Sequence, residues 1–83
     1  MQPGDAVIIE VCHADGQVYR RWQSTVEEIS DDYIITLSSP GNPIEDVGKG
    51  IWHSRWHIRR YLWRRQPYSL LELYYPDGQL AQI

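Results

Sequence analysis

From Val18 to Glu27 the residues sort into two rows when every second position is read together, and that alternation constrains the chain most. The even row is Val18, Arg20, Trp22, Ser24 and Val26; the odd row is Tyr19, Arg21, Gln23, Thr25 and Glu27. Successive side chains of a strand point to opposite faces, so the pattern predicts a strand with one apolar and one solvent-facing side. Ahead of it stand the alternating Val7, Ile9 and Val11 and then Asp15-Gly16. That dipeptide signals a hairpin, because glycine accepts the positive φ of a tight turn. Ser30-Asp31-Asp32 predicts a second turn before a short strand Tyr33–Leu37, and the Pro- and Gly-rich stretch 38–50 reads as a loop. A strand Tyr68–Tyr75 closes on the turn Pro76-Asp77-Gly78, and Gln79–Ile83 begins another. The expected fold is all-β and antiparallel, with about six strands.

The segment Ile51–Arg65 is where the charge gathers. It holds five arginines, two histidines, three tryptophans and a tyrosine, and no acid, while the rest of the chain carries all eleven carboxylates and three bases. Arginine forks match phosphate oxygens, and flat rings stack on a base. A solvated strand with cross-strand ion pairs accounts for the same composition. At about 100° per residue the arginines scatter around a helix with no apolar stripe, whereas at about 180° the segment sorts. His53, Arg55, His57 and Arg59 fall on one face, and Trp52, Ser54, Trp56 and Ile58 on the other. A strand from Ile51 to Leu62 is therefore predicted, with a bulge or bend near Ile58–Arg60, where Arg60 breaks the pattern.

Arg20 is the other anomaly, because it sits in the apolar row between Val18 and Trp22. An unpaired guanidinium in a core costs several kcal/mol. It must meet a carboxylate, reach water, or line a cavity that receives an anion.

The 83 residues allow one small domain, 1–83, of marginal stability. No signal peptide and no apolar run long enough to span a membrane is visible. The single Cys12 lies in an apolar run and reads as a buried structural thiol, which suits a reducing, cytoplasmic setting. A net charge of −3 argues against bulk nucleic-acid binding, though a local patch can override it. His53 and His57 stand about 13 Å apart on a strand at ~3.3 Å per residue, too far to share one metal ion.

Three segments, in order, resemble the FomD-like nucleoside di- and triphosphatase family. Asp15-Gly16-Gln17-Val18-Tyr19-Arg20-Arg21-Trp22 is similar to its DG-x-x-x-R-x-W signature, and Gly48–Arg55 to its G-[KR]…W-x-x-R element. The run from Pro67 to Gly78 resembles its final aromatic and Asp-Gly hairpin, with Ser69 where the family has an asparagine. The resemblance implies a compact antiparallel β-barrel and metal-dependent hydrolysis of nucleotide phosphates. It assigns Arg20 the catalytic phosphate contact, with Lys49, Trp52, Arg55 and Tyr68 as substrate-binding residues. Mg or Mn would be the cofactor by resemblance only, since the family's acidic metal ligands follow the point where this sequence stops. The barrel is accordingly expected to be incomplete at its C-terminus, with no metal site of its own. Glu27-Glu28, Asp31-Asp32 and Glu45-Asp46 are dispersed pairs that read as turn chemistry or solubility.

Two functions follow as expectations. One is a phosphohydrolase whose metal-binding half is missing; the other is a non-catalytic module in which Trp52, Trp56, Tyr61, Trp63 and the arginines hold a nucleotide or RNA by stacking and phosphate contacts. The expected partners are thus a nucleotide or phospho-ester, or RNA on the second reading, and no membrane. A homodimer through the C-terminal edge strand is a further expectation.

Overall fold

The computed structural model describes residues 1–65 and 69–83. It is all-β, with eight strands: β1 (Ala6–Cys12), β2 (Val18–Ile29), β3 (Tyr33–Ser38), β4 (Pro43–Asp46), β5 (Gly50–His53), β6 (His57–Trp63), β7 (Ser69–Tyr74) and β8 (Leu80–Gln82). All pairings are antiparallel, and the order β5-β4-β2-β3-β6-β7-β8 makes one sheet that curls into a half-barrel, with β1 on β2. No helix among the described residues is long and apolar enough to cross a membrane.

The twelve-residue β2 organises the sheet. One edge pairs with β1; the other gives Arg20–Trp22 to β4 and Thr25–Ile29 to β3. Its two rows behave as the alternation requires. Trp22, Ser24 and Val26 are buried, while Tyr19, Gln23, Thr25 and Glu27 are exposed. Both Asp-Gly turns form, and with the same chemistry. His13 N–H donates to Gln17 O at 2.9 Å and Tyr75 N–H to Gln79 O at 2.8 Å, while the carboxylates of Asp15 and Asp77 accept from the N–H two residues on, each at 2.9 Å. Gly16 and Gly78 sit at φ +88° and +93°, a conformation that side-chain-bearing residues rarely adopt.

The core lies on the concave side. Ile9 (β1), Trp22 (β2), Ile44 (β4) and Ile58 (β6) form its centre, flanked by Val7, Val11, Leu62, Leu71 and Leu73. Each of the four central side chains contributes about 1.5–3 kcal/mol through removal of apolar surface from water, and the partly buried flanking ones less.

Five expectations are corrected. The described residues form eight strands rather than about six. The stretch 38–50 is not wholly loop, because Pro43–Asp46 pairs with both β2 and β5. Two adjacent charges on β2 meet two on β4: Arg20 faces Asp46 on the concave side, and Arg21 reaches Glu45 at 3.1 Å on the convex side. A slip of one residue would put both pairs on wrong faces, so these contacts define register more than they add stability.

The single strand Ile51–Leu62 is instead two strands, interrupted at Ser54. Ser54 is buried; its N–H donates to Asn42 O at 3.0 Å, its carbonyl accepts from Gly41 N–H at 2.7 Å, and its hydroxyl bridges to the backbone of Trp56. This junction carries the chain from the β4–β5 end of the sheet to β6. No bulge occurs at Ile58–Arg60, where the pairing with β3 and β7 runs unbroken.

Cys12, finally, is exposed rather than buried. Cys12 shares its face of β1 with the exposed Ile8 and Glu10, opposite the row of Val7, Ile9 and Val11 that meets the core. Folded protein should therefore react with one equivalent of Ellman's reagent without denaturant, at a rate near that of a small free thiol. Protection until denaturant is added would contradict this placement.

Candidate functional site

A cleft of about 390 Å³ opens on the concave face. One wall is β4–β5 and the start of β2, contributing Tyr19, Arg20, Ile44 and Trp52; the opposite wall and floor are β6 and β7, contributing Ile58, Arg60, Leu71 and Leu73. Trp22 and Trp56 also line it. The volume lies at the low end of the ~300–1,000 Å³ typical of small-molecule sites.

Two guanidinium groups reach this cleft, in different electrostatic states. Arg20 donates from Nε to Asp46 Oδ1 at 2.6 Å and from Nη2 to Oδ2 at 3.3 Å, and Oδ2 also accepts from Trp52 Nε1 at 3.1 Å. Its guanidinium lies 5.4 Å from the Trp52 ring centre. The Arg20 hydrogen bond holds the Asp46 carboxyl below the usual carboxylate range, and the same bond raises Arg20. Of the alternatives open for Arg20, the structure shows the carboxylate partner, in a side chain that remains 42% exposed.

Arg60 has no such partner. It lies on the inward row of β6 with Ile58 and Leu62, opposite the buried Thr36 on β3 and Leu71 on β7. No carboxylate lies within ion-pair distance of it among the described residues. Its Nε is buried without a hydrogen-bond partner. The guanidinium lies 5.6 Å from the Trp22 ring centre, which offsets part of its desolvation. Burial pushes its pKa down, with only Tyr19 opposing, yet a guanidinium stays charged at any ordinary pH.

The sequence-predicted residues divide. Arg20 and Trp52 line the cleft. Lys49 borders an adjoining hollow of about 230 Å³, shared with His13, Tyr19, Arg20, Asp46 and Val47. Arg55 is exposed in the β5–β6 turn and does not line the cleft. Tyr68 lies outside the described residues. Trp56 lines the cleft as one of the rings expected for stacking, whereas Trp22 and Tyr19 complete the site without having been singled out as binding residues, and Arg60 was not distinguished among the arginines of its segment. The signal for Arg60 was present: it occupies the same row as Trp56 and Ile58, the anomaly that drew attention to Arg20.

The metal implied by the family resemblance does not fit these residues. Among the described residues no three of His, Cys, Asp and Glu come together as ligands. Asp46, the carboxylate bound to the cleft-lining Arg20 and Trp52, already has both oxygens engaged by them. What the arrangement offers is a half-buried positive charge in an aromatic cleft, suited to receive an anion that carries a flat ring. No family model, no curated protein and no solved structure matches the chain.

Proposed function

We propose that this chain is a nucleotide-binding half-barrel, whose concave cleft holds a phosphate-bearing ligand with its phosphate on Arg60 and its base against the rim aromatics. The observation that carries the reading is the half-buried Arg60 guanidinium, aimed into the cleft without a carboxylate. Leaving a charge there costs stability unless something completes it, and a phosphate supplies charge and two matched acceptors together. Trp52 and Tyr19, both exposed at the rim, present ring faces on which a base can stack. The resemblance to phosphate-handling proteins in the segments around Arg20 and Trp52 supports the same ligand class. The proposed role is binding; no hydrolytic step is derived from these residues.

The cleft tryptophans make the test direct. Titration with AMP should quench their fluorescence saturably, and Arg60→Gln should weaken the apparent affinity by about tenfold or more, the scale of losing one charge-assisted contact. Circular dichroism checks that the variant keeps its sheet. Saturable binding that Arg60→Gln leaves intact would overturn the proposal, as would no quenching at millimolar AMP.

A further inference from the structure

Two arginines line the cleft, and a carboxylate in the adjoining hollow is bound to one of them, a juxtaposition that bears on how much negative charge a ligand can bring. We infer that Asp46 acts as a built-in anion on Arg20, so that the cleft accepts a nucleoside monophosphate and discriminates against di- and triphosphates. This rests on the nucleotide-binding reading above and specifies the ligand within it.

Asp46 faces Arg20 across the β2–β4 register and takes two of its nitrogens, Nε and Nη2. The third hydrogen bond to that carboxylate, from Trp52 Nε1, ties it to a second cleft-lining side chain, from its place in the adjoining hollow. A phosphate on Arg60 meets a cation with no competing carboxylate. A second or third phosphate extending toward Arg20 meets a fork already occupied, and a negative charge beside it. Displacing Asp46 would leave that carboxylate without its guanidinium while adding a like charge next to it, a juxtaposition that specific sites use to reject wrong partners. Its carboxyl is held below the usual range, so it carries its charge throughout ordinary pH. Lys49, exposed in the adjoining hollow, offsets Asp46 only in part, from a long and strongly hydrated stem.

The experiment titrates AMP, ADP and ATP, without divalent cations, into the unaltered chain, Asp46→Asn and Glu45→Gln. Glu45 is the matched control: it sits on the same strand but pairs with Arg21 on the opposite face. The expected result is that affinity falls from AMP to ATP in the unaltered chain. Asp46→Asn should then raise ATP affinity about tenfold or more relative to AMP, on the scale of relieving a like-charge contact. Glu45→Gln should leave the order unmoved. If ATP binds the unaltered chain as tightly as AMP, or Asp46→Asn fails to change the ratio while remaining folded, the inference is overturned and nucleotide binding stands. Should Asp46→Asn not fold, the AMP-to-ATP order in the unaltered chain decides the matter alone. Absence of binding by all three nucleotides overturns both.

Discussion

Arg60→Leu should raise the melting temperature by about 4–8 °C and, in the same molecule, abolish anion binding in the cleft. Arg60 stands between Ile58 and Leu62 on the inward row of β6, with its Nε buried and unpartnered. Replacing a poorly compensated buried charge with an apolar residue of similar reach is commonly neutral to stabilising, by about 1–4 kcal/mol. The group is only half-buried and lies over Trp22, a contact the leucine would lose, so about 1 kcal/mol is the appropriate scale. For a domain of this size that gain corresponds to about 4–8 °C. A stabilised but non-binding protein is the signature of a residue kept for a ligand. Thermal melts of both chains, paired with the AMP titration, check it. A lower melting temperature for Arg60→Leu would mean that Arg60 is a structural element satisfied by its surroundings, and the case for an anion there would fail.

The largest loss is expected from Ile44→Ala. Ile44 is 1% exposed and packs with Ile9, Trp22 and Ile58 at the centre of the core, while also lining the cleft. Truncating a buried isoleucine costs about 2–5 kcal/mol, from lost burial and the cavity left behind. The whole domain has about 4–12 kcal/mol to lose at ~0.05–0.15 kcal/mol per residue, so this variant should stand near the edge of unfolding. Urea denaturation should show the midpoint fall sharply with little change in slope. A loss below about 0.5 kcal/mol, the range of an ordinary surface substitution, would show that β4 is not the core strand described.

Much of this architecture was legible in the alternation of β2 and the two Asp-Gly turns, because both signals are local. Faces follow from period two, and a positive φ asks for glycine. What escaped depended on distant partners. Strand β4 has only four residues, with one apolar side chain between a proline and two acids, too short to display a period. It is a strand because Arg20, Arg21 and Trp22 stand ready to pair with it. The break at Ser54 was hidden because serine fits the alternation, and only the backbone bonds from Gly41 and Asn42 reveal the junction. The site divides similarly. The inward placement of Arg20 could be read from its row, but not its carboxylate, which lies in a segment that reads as loop. Arg60 obeyed the same row logic, yet a local bulge was expected to carry it away.

The way β2 shares itself between neighbours also bears on the order in which the molecule assembles. Its pairings with β1 and β3 close across short turns, at 13–17 and 30–32, and cost little chain entropy. Its pairing with β4 must bring Ile44 back to Trp22, and β6 must return from Ile58 to reach Ser38. Contacts that close over longer stretches form against a larger entropic cost and are rewarded only once a surface is there to receive them. We therefore expect the β1–β2–β3 meander to supply that surface, with β4–β5 and β6–β7 added to it as later layers. Arg20 and Trp22 belong to the first layer, while Asp46, Trp52 and Arg60 arrive with the second. On that order, the cleft comes into being only as folding finishes.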